Sequence, residues 1–238
     1  MKLSRGIYAT NHLLSSEERS SFQGKLERLD YNASVILSEH FQNHLHYAEA
    51  DIPKTMKNDI VKFIASDTDF QNLFRPTEIT RIFINRQITE ENDSARASMD
   101  IHCDGPTGLT EPLVTWVLVI KNTKPKDGAV IVSTREDGRI LEKSFSRSTE
   151  KIFPKDNSSY YFFGFHVSHG VCPLKTTGGW RFSVVVFLRT RLSMLQAMQK
   201  IAEREVSFIC PTCGKLCATL RKFNDHKYNH KRVKKAVL

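Results

Sequence analysis

Apolar positions along this chain change their period near residue 76. Before it they recur every three or four residues, and after it they alternate or cluster in short β-branched blocks. Ser15-Ser16-Glu17-Glu18 reads as a capping box, with Leu14 as a hydrophobic staple, opening a helix that carries Phe22, Leu26 and Leu29. A second helix is expected through Leu37, Phe41 and Leu45. It would set His40 and His44 on one face, but no Cys or carboxylate accompanies them, so they read as exposed polar residues rather than a metal pair. A third helix starts near Lys54 with Met56, Ile60, Phe63 and Ile64 on one side, and Arg75-Pro76 ends the helical front. Eight short strands are then predicted, over 79–84, 95–102, 113–120, 129–133, 139–145, 159–164, 166–171 and 181–188. Turn chemistry separates them at Gly105-Pro106, Asp127-Gly128, Asp137-Gly138 and Gly178-Gly179. The expected class is α+β, a closed or sandwiched antiparallel β core backed by helices. Leu192, Leu195, Met198 and Ile201 predict a helix leaving that core. The domain organisation read from this pattern is a helical front over 1–76, a β core over 77–190, a linker helix over 191–205 and a small unit over 206–238.

Composition narrows the class. The chain has 238 residues, 40% of them hydrophobic, which is enough for one packed core plus an appendage. No apolar run reaches the roughly 18 residues needed to cross a bilayer. Met1-Lys2-Leu3-Ser4-Arg5 lacks the apolar stretch of a secretory signal, so Asn-x-Ser at Asn32 and Asn157 carries little weight. Five Cys, three of them between Cys210 and Cys217, do not form a disulfide framework; an intracellular, reducing compartment such as cytoplasm or nucleus is expected, with no membrane partner. The net charge of +9 is concentrated at the end, since residues 200–238 hold ten Lys/Arg against three Asp/Glu. A basic end of this kind fits a polyanionic partner or a solvated tail.

Candidate chemistry lies at His102-Cys103-Asp104-Gly105. Residues two apart on an extended chain face the same way, so an imidazole and a carboxylate would project together from one sheet edge. Together with a distant third ligand, His169, this is the donor set that holds Fe(II) through two His and one carboxylate while leaving positions open. His-x-Asp, then His169-Gly170-Val171, then Arg181-Phe182-Ser183 resembles the Fe(II)/2-oxoglutarate-dependent dioxygenases, and Asp127-Gly128-Ala129-Val130-Ile131-Val132 is similar to the family segment in which a small-residue turn opens a core strand. The resemblance covers about 79–189 and implies a double-stranded β-helix, or jelly-roll, core. It implies iron on His102, Asp104 and His169, the last preferred over His166 because it precedes Gly-Val. It also implies 2-oxoglutarate as cosubstrate with O2, its distal carboxylate bound by the planar fork of Arg181 and by the hydroxyl of Ser183. Asn85 and Arg86 fall where many relatives carry a residue facing cosubstrate or substrate, and Trp116 is a further candidate lining residue.

The basic end carries a second motif. Cys210-Pro-Thr-Cys213, twelve residues, then His226 and His230 is the spacing of a C2H2 zinc finger, a ββα unit in which two thiolates and two imidazoles close a tetrahedral, structural Zn2+ site. Cys217 stands where such fingers usually carry a core Phe, and Phe223 where they carry a Leu. In the usual docking, Thr219, Lys222 and Asp225, with Arg221 nearby, would face bases, and Lys231, Arg232, Lys234 and Lys235 would meet phosphates. The sequence therefore predicts an Fe(II)- and 2-oxoglutarate-dependent dioxygenase that hydroxylates or oxidatively demethylates a macromolecule, first a nucleic acid (DNA or RNA). The alternatives are a prolyl- or asparaginyl-type protein hydroxylase whose finger binds protein, and a non-catalytic 2-oxoglutarate-binding zinc-finger module.

Overall fold

The computed structural model describes residues 2–4, 7–29, 41–42, 44–47, 52–88, 98–102, 104, 113–123, 129–133, 150–153, 155–164, 167–171, 180–193, 196–197, 208–209 and 216–217. The chain divides into two compact units, Met1–Leu192 and Ser193–Leu238.

In the first unit the capping box forms as expected. Ser15 Oγ accepts from Glu18 N at 3.2 Å, and Glu18 Oε2 accepts from Ser15 N at 2.9 Å. These bonds, the Ser15 backbone N–H first, hold the Glu18 carboxyl below its usual range. Helix α1 follows over Ser16–Glu27, burying Phe22 and Leu26. Helix α2, Lys54–Ser66, buries Met56, Ile60, Phe63 and Ile64, the four positions its periodicity selects. It breaks at Asp67, which caps a separate helix α3, Thr68–Phe74. Arg75 then adopts the left-handed conformation, φ 47°, and Pro76 starts the β core.

Two parts of the expected helical front are strands instead. Lys2–Ser4 (β1) and Ile7–Asn11 (β2) pair with each other, and β2 extends the main sheet. Where a helix is expected over 37–45, Phe41–Gln42 form β3 and His44–Tyr47 form β4, while Leu37 and His40 lie outside the described residues. The reason is pairing. Strand β3 lies against one sheet edge and β4 against another, so edge backbone groups gain partners that a short helix rich in His and Asn would not supply.

The core strands are Pro76–Ile88 (β5), Ser98–His102 (β6), Leu113–Asn122 (β7), Val130–Ser133 (β8), Glu150–Ile152 (β9), Ser158–Phe163 (β10), Ser168–Val171 (β11) and Trp180–Thr190 (β12). The strand expected over 139–145 falls outside the described residues, and β9 is the fifth core strand. One sheet has the order β1-β2-β10-β7-β12-β5-β4 and the other β3-β6-β11-β8-β9, with every pair antiparallel. From β5 to β12 the chain passes repeatedly between the sheets, which is the path of a jelly-roll.

Both faces of the larger sheet are covered, so β7 and β10 read as nearly continuous buried runs. Between the sheets lie Ile7, Ala9, Val117, Val119, Val130, Ile152, Tyr160, Phe162 and Val167. On the back, Tyr161 meets Tyr8, Phe70 and Phe74 at ring centroid distances of 6.2, 5.1 and 5.5 Å. The fully buried carboxylate of Asp67 sits among them. It accepts from Thr10 Oγ1 (2.7 Å), Trp116 Nε1 (2.9 Å), Ser159 Oγ (2.5 Å) and Phe70 N (3.2 Å), joining the α2–α3 junction to β2, β7 and β10.

In the second unit Ser193 and Gln196 form a reciprocal cap, Gln196 N to Ser193 Oγ at 3.2 Å and Ser193 N to Gln196 Oε1 at 2.9 Å, opening the helical turn at Gln196 and Ala197. Strands Phe208–Ile209 (β13) and Leu216–Cys217 (β14) pair as an antiparallel hairpin.

Replacing Asp67 by Ala leaves two buried side-chain donors, Trp116 Nε1 and Ser159 Oγ, without their acceptor and is expected to lower unfolding free energy by about 3 kcal/mol. Urea denaturation followed by Trp fluorescence measures this; a change below about 1 kcal/mol would contradict the anchoring role.

Candidate functional site

Strand β6 ends at His102, and Asp104 follows it. Strand β11 runs antiparallel to β6, with His169 directly opposite His102 in the register. The His102 side chain lies outside the described residues, but Asp104 and His169 are both described and both only 6% exposed. His169 Nε2 stands 3.5 Å from Asp104 Oδ2. His169 Nδ1 lies 3.0 Å from the Val167 carbonyl oxygen. That carbonyl can only accept, so Nδ1 carries a proton, and Nε2 is the ring nitrogen that faces the carboxylate. Phe162 packs edge-on against the imidazole at 4.6 Å and fixes its plane.

Asp104 is seated by β7 and β10. Its backbone N–H donates to Gly164 O at 3.0 Å, and Gly164 N donates to Leu113 O at 3.2 Å. Thr115 Oγ1 donates to Asp104 Oδ2 at 2.5 Å. Gly164 is required by space, since a Cβ there would come within 2.6 Å of both Asp104 Cβ and Thr115 Oγ1.

Strand β12 brings Arg181 and Ser183, both buried, to the same side of the sheet as Val119 and Asn85, which flank Ser183 in the register. Among the described residues Asn85 Oδ1 is buried without a hydrogen-bond partner. The hydroxyl of Tyr160 is within electrostatic reach of both Arg181 and Asp104. Burial pushes it up to about 12; Arg181 pulls it down, and Asp104 pushes it further up. The guanidinium and the carboxylate thus act on one buried hydroxyl between the sheets.

Two expected lining residues fall elsewhere. Trp116 alternates with Thr115, so its indole lies on the back of the sheet and donates to Asp67; it is core, not pocket. Arg86 sits over the Phe182 ring at 5.8 Å, and Arg86, Trp180, Phe182 and Glu27 line a cleft of about 270 Å³. Arg86 pairs with Phe182 one position away from Ser183, which puts it on the opposite sheet face from the Asp104 cluster. Thr115, Tyr160 and Gly164 have no sequence signal of their own, since their place depends on cross-strand register. Cys210, Cys213, His226 and His230, and the candidate nucleic-acid contacts Thr219, Arg221, Lys222, Asp225, Lys231, Arg232, Lys234 and Lys235, lie outside the described residues.

No family model and no curated protein matches the chain. Solved structures do. A prolyl-4-hydroxylase from Pseudomonas putida matches with a TM-score of 0.55 at 13% identity, covering 79% of this chain and 94% of that one. A Trichoplax adhaerens prolyl hydroxylase, in complex with a hypoxia inducible factor peptide fragment, matches with a TM-score of 0.58 at 12% identity, covering 82% and 87%. HygX from Streptomyces hygroscopicus, with nickel and 2-oxoglutarate bound, matches with a TM-score of 0.56 at 14% identity, covering 80% and 85%. What is shared is the fold.

The donor set fits a first-row metal ion. Metal–N and metal–O distances of about 2.0–2.2 Å keep two donors to one ion within roughly 4.2 Å of each other. The 3.5 Å between His169 Nε2 and Asp104 Oδ2 lies inside that limit.

Because Tyr160 is held neutral in the fold above the pH at which an unfolded Tyr ionises, the native state binds its proton more tightly. Stability is therefore full below about pH 10 and is lost as pH rises towards 12. Absorbance titration of tyrosinate should show a step near pH 12 that Tyr160→Phe removes. An unchanged titration in that variant would refute the assignment.

Proposed function

We propose that the chain is an Fe(II)- and 2-oxoglutarate-dependent dioxygenase that oxidises a macromolecular substrate. The observation that carries this is the buried pair of His169 Nε2 and Asp104 Oδ2, 3.5 Å apart, with His102 opposite His169 in one sheet and the buried Arg181 on β12 of the other. His102, Asp104 and His169 would hold the iron. Arg181 would receive the distal carboxylate of 2-oxoglutarate through two parallel N–H donors, with Ser183 adding a hydroxyl. Iron and 2-oxoglutarate, when bound, would activate O2, the oxidant: two electrons come from 2-oxoglutarate, which leaves as succinate and CO2, and two from the substrate that is hydroxylated. The chain's own residues hold, orient and exclude water, through walls formed by Val117, Val119, Phe162 and Val167.

The fold likeness to enzymes solved with nickel, iron and 2-oxoglutarate supports this reading. The full chain should convert 2-oxoglutarate to succinate in an Fe(II)-dependent manner. His102→Ala should abolish this, and Arg181→Lys should weaken 2-oxoglutarate binding about tenfold. A wild-type protein that binds no iron under anaerobic conditions would sink the proposal.

For the substrate, the basic end favours nucleic acid. The β13–β14 hairpin flanks Cys210 and Cys213, which supports a zinc-bound ββα finger completed by His226 and His230. Thr219, Arg221, Lys222 and Asp225 would then face bases, and Lys231, Arg232, Lys234 and Lys235 phosphates. A second reading, hydroxylation of a protein side chain, is favoured by the likeness to a prolyl hydroxylase solved with a peptide. Binding to single- and double-stranded oligonucleotides should weaken steeply with salt, log K falling by roughly 0.7–0.9 per phosphate contact per log unit of salt. Absent or salt-insensitive binding would leave the protein substrate. Among the described residues no helix is long and apolar enough to cross a membrane.

A further inference from the structure

We propose that Thr115 is a positioning residue that locks Asp104 as a one-oxygen ligand, a role that rests on the iron reading above. Rotation about the last torsion of an Asp side chain is soft, so nothing intrinsic decides which way the carboxylate plane turns. Here the turn is set from outside. Thr115 Oγ1 donates to Oδ2 at 2.5 Å, and that same oxygen faces His169 Nε2 at 3.5 Å. One edge of the carboxylate is therefore gripped by a hydroxyl and by the imidazole side of the site at once.

The grip is rigid because of where Thr115 sits. It is buried as the third residue of β7, between the fully buried Val114 and Trp116, and it is directly opposite Phe162 on β10 and Phe187 on β12. A β-branched side chain there has little rotamer freedom. The backbone of Asp104 is pinned separately, through its N–H to Gly164 O at 3.0 Å. Gly164 also keeps the path clear. A Cβ at 164 would stand 2.6 Å from Thr115 Oγ1 and 3.0 Å from Asp104 Oδ2, where the hydroxyl and the carboxylate meet. Three elements, the end of β6, the start of β7 and the end of β10, thus converge on one carboxylate.

The consequence is chemical. A carboxylate free to turn can close on an ion with both oxygens, using a position that the cosubstrate needs. A carboxylate held by Thr115 keeps one oxygen on the His169 side. Thr115 touches neither cosubstrate nor substrate in this role; it acts through Asp104.

The test uses the full chain loaded with zinc beforehand, so that the thiolate-containing motif is filled. Mn(II), which prefers oxygen and imidazole donors, is then titrated and free Mn(II) is read by electron paramagnetic resonance. Thr115→Val keeps the shape and removes the hydroxyl; it should weaken Mn(II) binding by about 10–100-fold and alter the bound-Mn(II) spectrum. Thr115→Ser keeps the hydroxyl and removes the methyl; it should restore affinity to about the wild-type value while costing stability. If Thr115→Val does not fold, Thr115→Ala replaces it, since Ala and Ser differ there only by the hydroxyl. Wild-type affinity in Thr115→Val, or an equal loss in Thr115→Ser, would overturn the positioning role while leaving the iron site intact. Wild-type protein that binds neither Mn(II) nor Fe(II) would overturn the iron reading itself, and this role with it.

Discussion

The buried carboxylate of Asp67 is the constraint on which the site depends, although it lies on the wrong side of the sheet to touch it. It accepts from Trp116 on β7 and Ser159 on β10. Strand alternation does the rest. The next residue on β7, counting back, is Thr115, and the next on β10 is Tyr160, and both face the opposite way. Fixing Trp116 and Ser159 from behind therefore fixes the hydroxyls of Thr115 and Tyr160 in front. An acceptor with four donors, fully removed from water, resists a slip of either strand, because a one-residue shift would bury those donors unpaired.

The same logic explains why Arg181 is tolerated in the interior. A buried guanidinium is costly without compensating charge. The same face of β12 and β5 carries the polar side chains of Ser183 and Asn85, and Tyr160 on β10 is within electrostatic reach of the guanidinium. Asn85 Oδ1, buried without a partner among the described residues, belongs to this polar lining. Sites that bind polar ligands commonly leave such groups incompletely satisfied in the ligand-free protein.

Much of this was legible in the sequence, for physical reasons that differ by residue. The β core is readable because β-branched blocks and Gly-containing turns set its strands. The meeting of Asp104 and His169 is readable because the order of His-x-Asp, His-Gly-Val and Arg-x-Ser resembles a family pattern in which these positions converge. The α2 periodicity is readable because one face of it packs. By contrast, residues 41–42 and 44–47 form edge strands because β6 and β5 offer partners, which local periodicity does not encode. Thr115 and Gly164 escape notice for the same reason, since what each meets is decided by register. Trp116 misleads because continuous burial of β7 hides which of its residues face forward.

The position of β11 has a consequence for biogenesis. It is not an edge strand but is inserted between β6 and β8, with His169 opposite His102 although sixty-seven positions separate them. Strand β12, which brings Arg181, is likewise interior, wedged between β7 and β5. A chain emerging from the ribosome thus exposes His102 and Asp104 long before their partners exist, and two gaps must stay open in the half-built sheets to receive the last strands. His102, Asp104 and His169 can therefore meet only after β11 has been made, and until then the facing edges of β6 and β8 stand unpaired.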